Sequence, residues 1–282
     1  MSERLDLIRT VYPGLKVTGN VQTTHGQFSD VLLVDDALVF RFPRSAHVAV
    51  QMAQELSVLA ALQGKLPLPI PAPQYTHFDG NRLVFMGYPF LPGEPLLRER
   101  FAAIHDGAIY EQLAIDLAHF LRVLHSLPTD ALPTNAPPYA PRAMWRALYN
   151  GFREQLYPHM RPDARRQVSA DFDAALNDHT LWEFTPCITH GDFGTGNLLY
   201  ENGHISGVID FTSCGVGDPA QDCGALLASF GAAFIERVFV HYPALRTTLP
   251  RVRFIKSTYA LQQAYYALRD NNQEDFADGM RD

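Results

Sequence analysis

One stretch constrains this chain more than any other: His190-Gly191-Asp192-Phe193-Gly194-Thr195-Gly196-Asn197, followed by Ile209-Asp210-Phe211. It sets an Asp, an Asn five residues on, and a second Asp thirteen residues further. The flanks 187–189 and 198–200 read as short strands, as do Ile205 and 207–209. Asn202-Gly203, between 198–200 and 205–209, is a strong hairpin turn for strands that twist right-handed. The hairpin therefore brings Asn197, just before one strand, to Asp210, at the end of its partner. Gly191, Gly194 and Gly196 let the preceding loop coil tightly and let a ligand approach its backbone.

The order Asp, Asn, Asp is that of a phosphoryl-transfer centre. The first carboxylate takes the proton of an attacking hydroxyl, while the Asn and the second Asp hold Mg²⁺ against nucleotide phosphates. Both metal ligands present hard oxygens, which is what Mg²⁺ requires. An Asp/Asn/Gly-rich turn between two core strands is the bland alternative.

Composition narrows the class further. The 282 residues suffice for one large domain or two lobes. Hydrophobic content of 47% and charged content of 19% indicate a packed core rather than a disordered chain. The 23 basic and 30 acidic residues give a net charge of −7, which argues against nucleic acid as a partner and favours a cationic one. The N-terminus has no signal-peptide apolar region, and the longest apolar stretch, 224–235, is too short to span a bilayer. Three cysteines without metal-ligand spacing read as reduced, buried residues of a cytoplasmic protein.

Along the chain, 5–11 reads as a short helix, and 17–23, 30–34 and 37–42 as strands. Residues 46–62 carry helical spacing, with Val50, Ala53, Leu56, Leu59 and Ala60 on one face, Ser45 as N-cap and Gly64 as stop. Four prolines within 66–73 make that run extended. Strands follow at 74–78 and 82–88. Beyond Gly93 helices are expected at 106–126, 143–157 and 164–176. After the hairpins come 220–230, 232–241 and 252–268. The expectation is an α+β chain in two lobes: 1–88 β-rich with one main helix, 89–93 a connector, and 94–282 mostly helical. A substrate cleft would suit the interface of two such lobes.

With these residues in view, the chain resembles the aminoglycoside phosphotransferase family, a branch of the protein-kinase-like fold, and most closely the branch that modifies the 2″-hydroxyl. The resemblance rests on Phe40-Arg41-Phe42-Pro43-Arg44, Gln54-Glu55-Leu56, the Pro-rich run from Leu66 to Pro71, and Cys187 to Phe193. Gly207 to Phe211 and Gly217 to Asp222 add to it. It runs from about residue 23 to about 230.

The resemblance implies roles. Asp192 is the catalytic base, and Asn197 and Asp210 are the Mg²⁺ ligands. Glu55 pairs with the cation of the third strand, which contacts the nucleotide phosphates. That cation is usually Lys in the family and is Arg41 here, a longer planar fork. Arg41 is alternatively an edge-strand surface residue.

Gly26 and Ser29 fall in the phosphate-covering loop 23–29, which a plain hairpin turn explains about as well. Pro89 C=O and Leu91 N–H fall where the family hydrogen-bonds the purine of ATP or GTP. Phe85 and Met86 line the purine pocket or simply pack the core. His190 and Asp222 support the catalytic loop, and Asp218 caps a helix. Gln262, Tyr266 and Asp270 lie where the acceptor binds. The 2″-branch carries acidic residues over 259–266, where this chain is uncharged. The acidic residues from Asp270 to Asp282 are therefore either an acceptor-binding set or a solvated face.

The implied enzyme is an Mg²⁺-dependent kinase of a small-molecule hydroxyl, an aminoglycoside foremost. A macrolide or a cellular metabolite is the alternative acceptor. A nucleotide-binding pseudokinase is the alternative class. Neither a membrane partner nor a second copy is expected.

Overall fold

A computed structural model describes residues 2–25, 29–133 and 139–281. In chain order it forms α1 (Ser2–Val11), β1 (Val21–His25), β2 (Ser29–Val34), β3 (Leu38–Pro43), α2 (Ala46–Leu62), β4 (Tyr75–Asp79) and β5 (Arg82–Pro89). Next come β6 (Glu94–Pro95), α3 (Arg98–Ala102), α4 (Gly107–Ser126), α5 (Pro141–Gln155) and α6 (Pro162–Asn177). Then follow β7 (Cys187–Thr189), β8 (Leu198–Glu201), β9 (His204–Val208) and β10 (Gly215–Gly217). The chain closes with α7 (Ala220–Phe230), α8 (Ala232–His241), α9 (Leu249–Ser257), α10 (Tyr259–Arg269) and α11 (Gln273–Gly279). No helix among the described residues is long and apolar enough to cross a membrane.

Contacts divide the chain into two compact units. The first holds the chain up to Asp116, a short piece from Asp130, and Thr195–Cys214. The second holds Leu117–Thr129, residues 139–194 and residues 215–281. This partition by contact differs from the division by chain order at the 89–93 connector, because the hairpin of β8 and β9 groups with the strands that precede it.

The first unit is built on a five-stranded antiparallel sheet in the order β1-β2-β3-β5-β4. Asp35 and Asp36 turn β2 into β3 with φ of 55° and 51°. Two successive positive φ values are the mark of the tight hairpin turn. Asp35 is held by the Thr18 and Gly19 amides, whose N–H groups it accepts at 2.9 and 2.7 Å. One face of the sheet buries Ile8, Leu32, Val34, Phe40, Phe42 and Phe85.

The helix α2 begins and ends where the sequence places it, capped by Ser45, which accepts from the Val48 amide. Its buried face is different, however. Val48, Ala49, Met52, Glu55, Val58, Leu59 and Leu62 are inside, and Val50 is 58% exposed. The helix is apolar nearly all round, so periodicity does not select a face; the position that docks Glu55 does. A small sheet β6-β8-β9 completes the unit. Gly93, with φ of 101°, lies so close to Tyr200 and Ser206 that a Cβ would stand 2.2 Å from Ser206 Oγ.

The second unit is mainly helical, with one two-stranded pair, β7 and β10, of which β10 is not among the strands expected from the sequence. The single helix expected at 252–268 is two, α9 and α10, broken at Thr258. Thr258 is buried, and its hydroxyl donates back to the Ile255 carbonyl at 2.7 Å. Such local bonding competes with the helix ladder and turns the chain. A further short helix, α11, follows, and Asn272 caps it by accepting from the Asp275 amide.

Candidate active site

In the first unit the hairpin sets the residues around Asp210. Leu198 pairs with Val208, and Glu201 with His204, across a turn in which Asn202 and Gly203 take φ of 51° and 87°. The Ile209 N–H donates to the Asn197 carbonyl at 2.9 Å and extends the ladder by one step. Asn197 and Asp210 are thereby brought to neighbouring strand ends, as the turn chemistry of the sequence predicts. Asp210 itself is left-handed, with φ of 62°. For a non-glycine residue this costs energy, and Asp tolerates it because its short side chain bonds locally. Here Asp210 Oδ1 accepts from the Thr212 amide at 3.3 Å and lies 2.6 Å from the Thr212 hydroxyl.

Glu55 ties this turn to the sheet. Arg41 Nη1 donates to both Glu55 oxygens, at 2.8 and 2.9 Å. The Phe211 amide donates to Glu55 Oε1 at 3.2 Å, and the Thr212 hydroxyl lies 3.2 Å from Oε2. The Glu55 side chain is fully buried and that of Arg41 is 13% exposed. Arg41 is thus a buried ion-pair partner rather than an edge residue in solvent. Burial pushes the Glu55 carboxyl above its ordinary range, opposed by the attraction of Arg41. Burial works against the Arg41 charge too, but Glu55, Tyr88 and Asp210 together hold its proton more firmly than usual. Tyr88 also hydrogen-bonds Arg41, and its phenol is pushed up to about 12, mainly by burial. From the sequence Tyr88 enters only as the residue that ends a strand and opens the connector, and Thr212 has no expected role. The short D-x-T spacing is a local signal for Thr212, because Asp side chains commonly bond the backbone two residues on; Tyr88 has none.

The remaining nucleotide-side residues are placed as follows. Gly26 lies outside the described residues. Ser29 is buried at the start of β2, opposite Pro43. Pro89 ends β5 opposite Leu38, and the Phe90 amide donates to the Ala37 carbonyl at 2.7 Å. Phe85 and Met86 are fully buried; Phe85 packs in the sheet core, and Met86 packs with Val48, Met52 and Leu83. Leu91 rests beside Gly207, and Ser206 donates to the Pro92 carbonyl at 2.7 Å, so the connector is seated on β9.

In the second unit the loop after β7 is held from beneath. Asp222, fully buried on α7, accepts from the His190 amide at 3.1 Å and the Gly191 amide at 2.8 Å. Its Oδ2 is also 3.0 Å from His125 Nε2. His190 is fully buried, and its Nδ1 accepts from the Asp192 amide at 3.3 Å. Phe193 stacks on Phe120 with centroids 5.3 Å apart. The Gly194 amide donates to the Asp192 carbonyl at 3.0 Å, and Gly191 takes φ of 82°. The result is a tight loop with its backbone pinned and the Asp192 side chain exposed. Asp218 accepts from the Ala220 amide and pairs with Arg251 at 2.7 Å. His125 is absent from the sequence reading, and a His at a helix end carries no local signal that it meets a carboxylate 97 residues away.

Of the expected acceptor residues, Gln262 and Tyr266 lie four apart on α10, and Asp270 is its C-cap. Gln262 donates to the Thr258 hydroxyl at 2.8 Å, Tyr266 is 40% exposed under Arg269, and Asp270 is paired with Arg269 at 3.4 Å. Of the acidic residues beyond, Asp275 serves the cap of α11 and Asp278 pairs with Arg281 at 2.9 Å.

None of the three cysteines forms a disulfide. Cys187 and Cys223 are buried, but Cys214 is only partly so, against the expectation for all three. Burial, then Asp222 and Asp218, pushes the Cys187 thiol up to about 12. Cys223 is raised as well, first by burial. Only the thiolate attacks, so at pH 8 these two should be inert. An aromatic disulfide reagent is expected to titrate one thiol quickly in the native protein and three after denaturation. Rapid reaction of two or more native thiols would contradict this packing.

Residues 21–255 match the phosphotransferase enzyme family, APH. The chain is 31% identical to a viomycin phosphotransferase of Streptomyces vinaceus, over 98% of this chain and 96% of that one. Among solved structures it is similar to an aminoglycoside 2″-phosphotransferase in complex with GDP and kanamycin, at 23% identity and a TM-score of 0.92, over 100% of this chain and 97% of the other. It is also similar to a macrolide 2′-phosphotransferase, at 24% identity and a TM-score of 0.79, over 99% and 95%. These neighbours share the protein-kinase-like fold.

Proposed function

The chain belongs to the phosphotransferase enzyme family, and on that premise we propose that it transfers the γ-phosphoryl group of ATP or GTP to a hydroxyl of an antibiotic, with Mg²⁺ as the metal. The observation that carries this reading is the Ile209–Asn197 pairing, which sets an amide side chain and the Asp210 carboxylate on adjacent strand ends. That donor set fits Mg²⁺, which is usually held by one or two protein oxygens plus substrate phosphates. Asn197 and Asp210 would hold the ion, and when bound it neutralises phosphate charge as the transfer proceeds.

The chain's own residues do the rest. The Asp192 carboxylate accepts the proton of the acceptor hydroxyl as its oxygen bonds to phosphorus and the nucleotide diphosphate leaves. Asp222 fixes the two amides at the start of that loop, so Asp192 starts from a restricted set of positions. Glu55 fixes Arg41, and Arg41 is the cation for the nucleotide phosphates.

The acceptor reading places viomycin and the aminoglycosides first, from the relatives named above. One observation favours a less cationic acceptor such as a macrolide: Asp270 is already paired with Arg269, and α10 offers Gln262 and Tyr266 beside it. The test is Mg²⁺-dependent release of ADP and of GDP with viomycin, kanamycin, a macrolide and a simple sugar alcohol, using Asp192→Ala as the control. Turnover with viomycin or kanamycin that disappears in the control is the expected result. Turnover confined to the macrolide would transfer the reading to the second acceptor class. Absence of turnover with every acceptor, despite tight nucleotide binding, would count against an antibiotic kinase.

A further inference from the structure

The three side chains expected at the acceptor are already engaged within the fold. Gln262 donates to the Thr258 hydroxyl, Tyr266 lies under the Arg269 guanidinium, and Asp270 pairs with Arg269. Tyr259, the half-buried first residue of α10, is different. Among the described residues its hydroxyl has no hydrogen-bond partner. The side-chain atoms that are both unbonded and sealed from solvent are Thr23 Oγ1 and His125 Nδ1 among the described residues, and the Tyr259 oxygen is not one of them. A ligand can therefore reach it. A tyrosine with its ring packed and its hydroxyl open suits a binding surface, because the ring is held while the polar tip is left for a partner.

The fold makes room for this hydroxyl beside the Asp192 loop. A Cβ on Gly224 would stand 2.8 Å from the Tyr259 oxygen, so any larger residue at 224 would displace it. Gly224 is buried on α7, the helix whose Asp222 holds the His190 and Gly191 amides. The same helix seats the far side of that loop, where a Cβ on Gly194 would stand 2.9 Å from Ser229 Oγ. Tyr259 and the loop thus rest on one helix. Burial first, then the charges of Asp222 and Asp192, hold the phenol proton well above its ordinary range. The phenol therefore stays neutral wherever the Asp192 carboxylate can act as a base, and its hydroxyl can both donate and accept.

We infer that Tyr259 binds the acceptor, its hydroxyl bonding a polar group of the antibiotic next to the hydroxyl that Asp192 deprotonates, and that Gly224 sets where that phenol stands. The inference rests on the proposed role of Asp192. It adds to the acceptor site a residue whose polar atom no other part of the described chain occupies.

The test is calorimetric titration of viomycin, kanamycin and erythromycin into the full chain saturated with ADP and Mg²⁺, so that binding is read without transfer. The native protein is expected to bind at least one of them, and Tyr259→Phe to bind the same one about tenfold more weakly, the scale of one hydrogen bond. Because the hydroxyl bonds nothing in the protein, the Phe variant should keep the native melting temperature and ADP affinity. Gly224→Ala keeps the hydroxyl but displaces it, so it too should weaken antibiotic binding, and it should cost little more in the Tyr259→Phe background. Such non-additivity in affinity ties the two residues to one contact with the ligand. If Gly224→Ala does not fold, Tyr259→Phe decides alone. Equal affinity of Tyr259→Phe and native protein, a melting temperature several degrees lower in Tyr259→Phe, or additive losses in the double variant would overturn the inference and leave the kinase reading in place. Binding of none of the three antibiotics by the native protein would overturn both together.

Discussion

Glu55→Ala is expected to lower the unfolding free energy by about 3–5 kcal/mol, the scale for removing one partner of a buried ion pair. The substitution strands the Arg41 charge at 13% exposure and takes the acceptor from the Phe211 amide. Urea denaturation read at the midpoint measures the loss, with the slope as a check that the transition stays cooperative. The double variant Arg41→Met, Glu55→Leu should recover much of it, because no unpaired charge then remains inside. A loss below about 1 kcal/mol for the single variant would mean that water reaches Arg41 and that the pair is not buried in solution. Nucleotide affinity separates stability from function: the double variant should fold and still bind nucleotide poorly, since it lacks the proposed phosphate cation.

Asp192→Asn is expected to do the opposite, sparing stability and lowering kcat by roughly 10²–10⁴-fold, the scale of a positioned general base. The residue is exposed, and the backbone around it is held by Asp222 and His190. Melting temperature and nucleotide affinity should therefore stay close to those of the native protein, while the chemical step slows. A variant within tenfold of native kcat would remove Asp192 from the base role and direct attention to water or to another group on the loop. A variant that loses kcat and stability together would instead indicate that the carboxylate holds the loop. The contrast with Glu55 is the informative part, because the two carboxylates differ in burial and so should fail in different measurements.

How much of this was legible in the chain varies with the range of the interactions involved. Asn202-Gly203 predicts the hairpin turn, and with it the approach of Asn197 to Asp210, because turn chemistry is set by adjacent residues. Ser45 and the length of α2 were equally readable, since a cap acts within one turn. The buried face of α2 was not, because an almost wholly apolar helix carries no amphipathic signal to choose one. The break at Thr258 was hidden for a related reason: the apolar spacing of 252–268 runs on through it, and only packing shows that its hydroxyl turns back on the chain.

By itself, then, the sequence determined the motif residues Asp192, Asn197 and Asp210, the hairpin that carries two of them, and the β-rich and helical character of the two halves. All of these follow from contacts within a few residues and from the periodicity of apolar side chains. The resemblance implies the pairing of Arg41 with Glu55; tertiary structure alone decided that the pair is buried with Tyr88 beside it, and that Glu55 also reaches the Phe211 amide, 156 residues away. It likewise decided that His125 meets Asp222, whose carboxylate also holds the His190 and Gly191 amides. Buried polar groups find partners wherever the folded chain places one, and no local pattern of residues encodes which distant group that is.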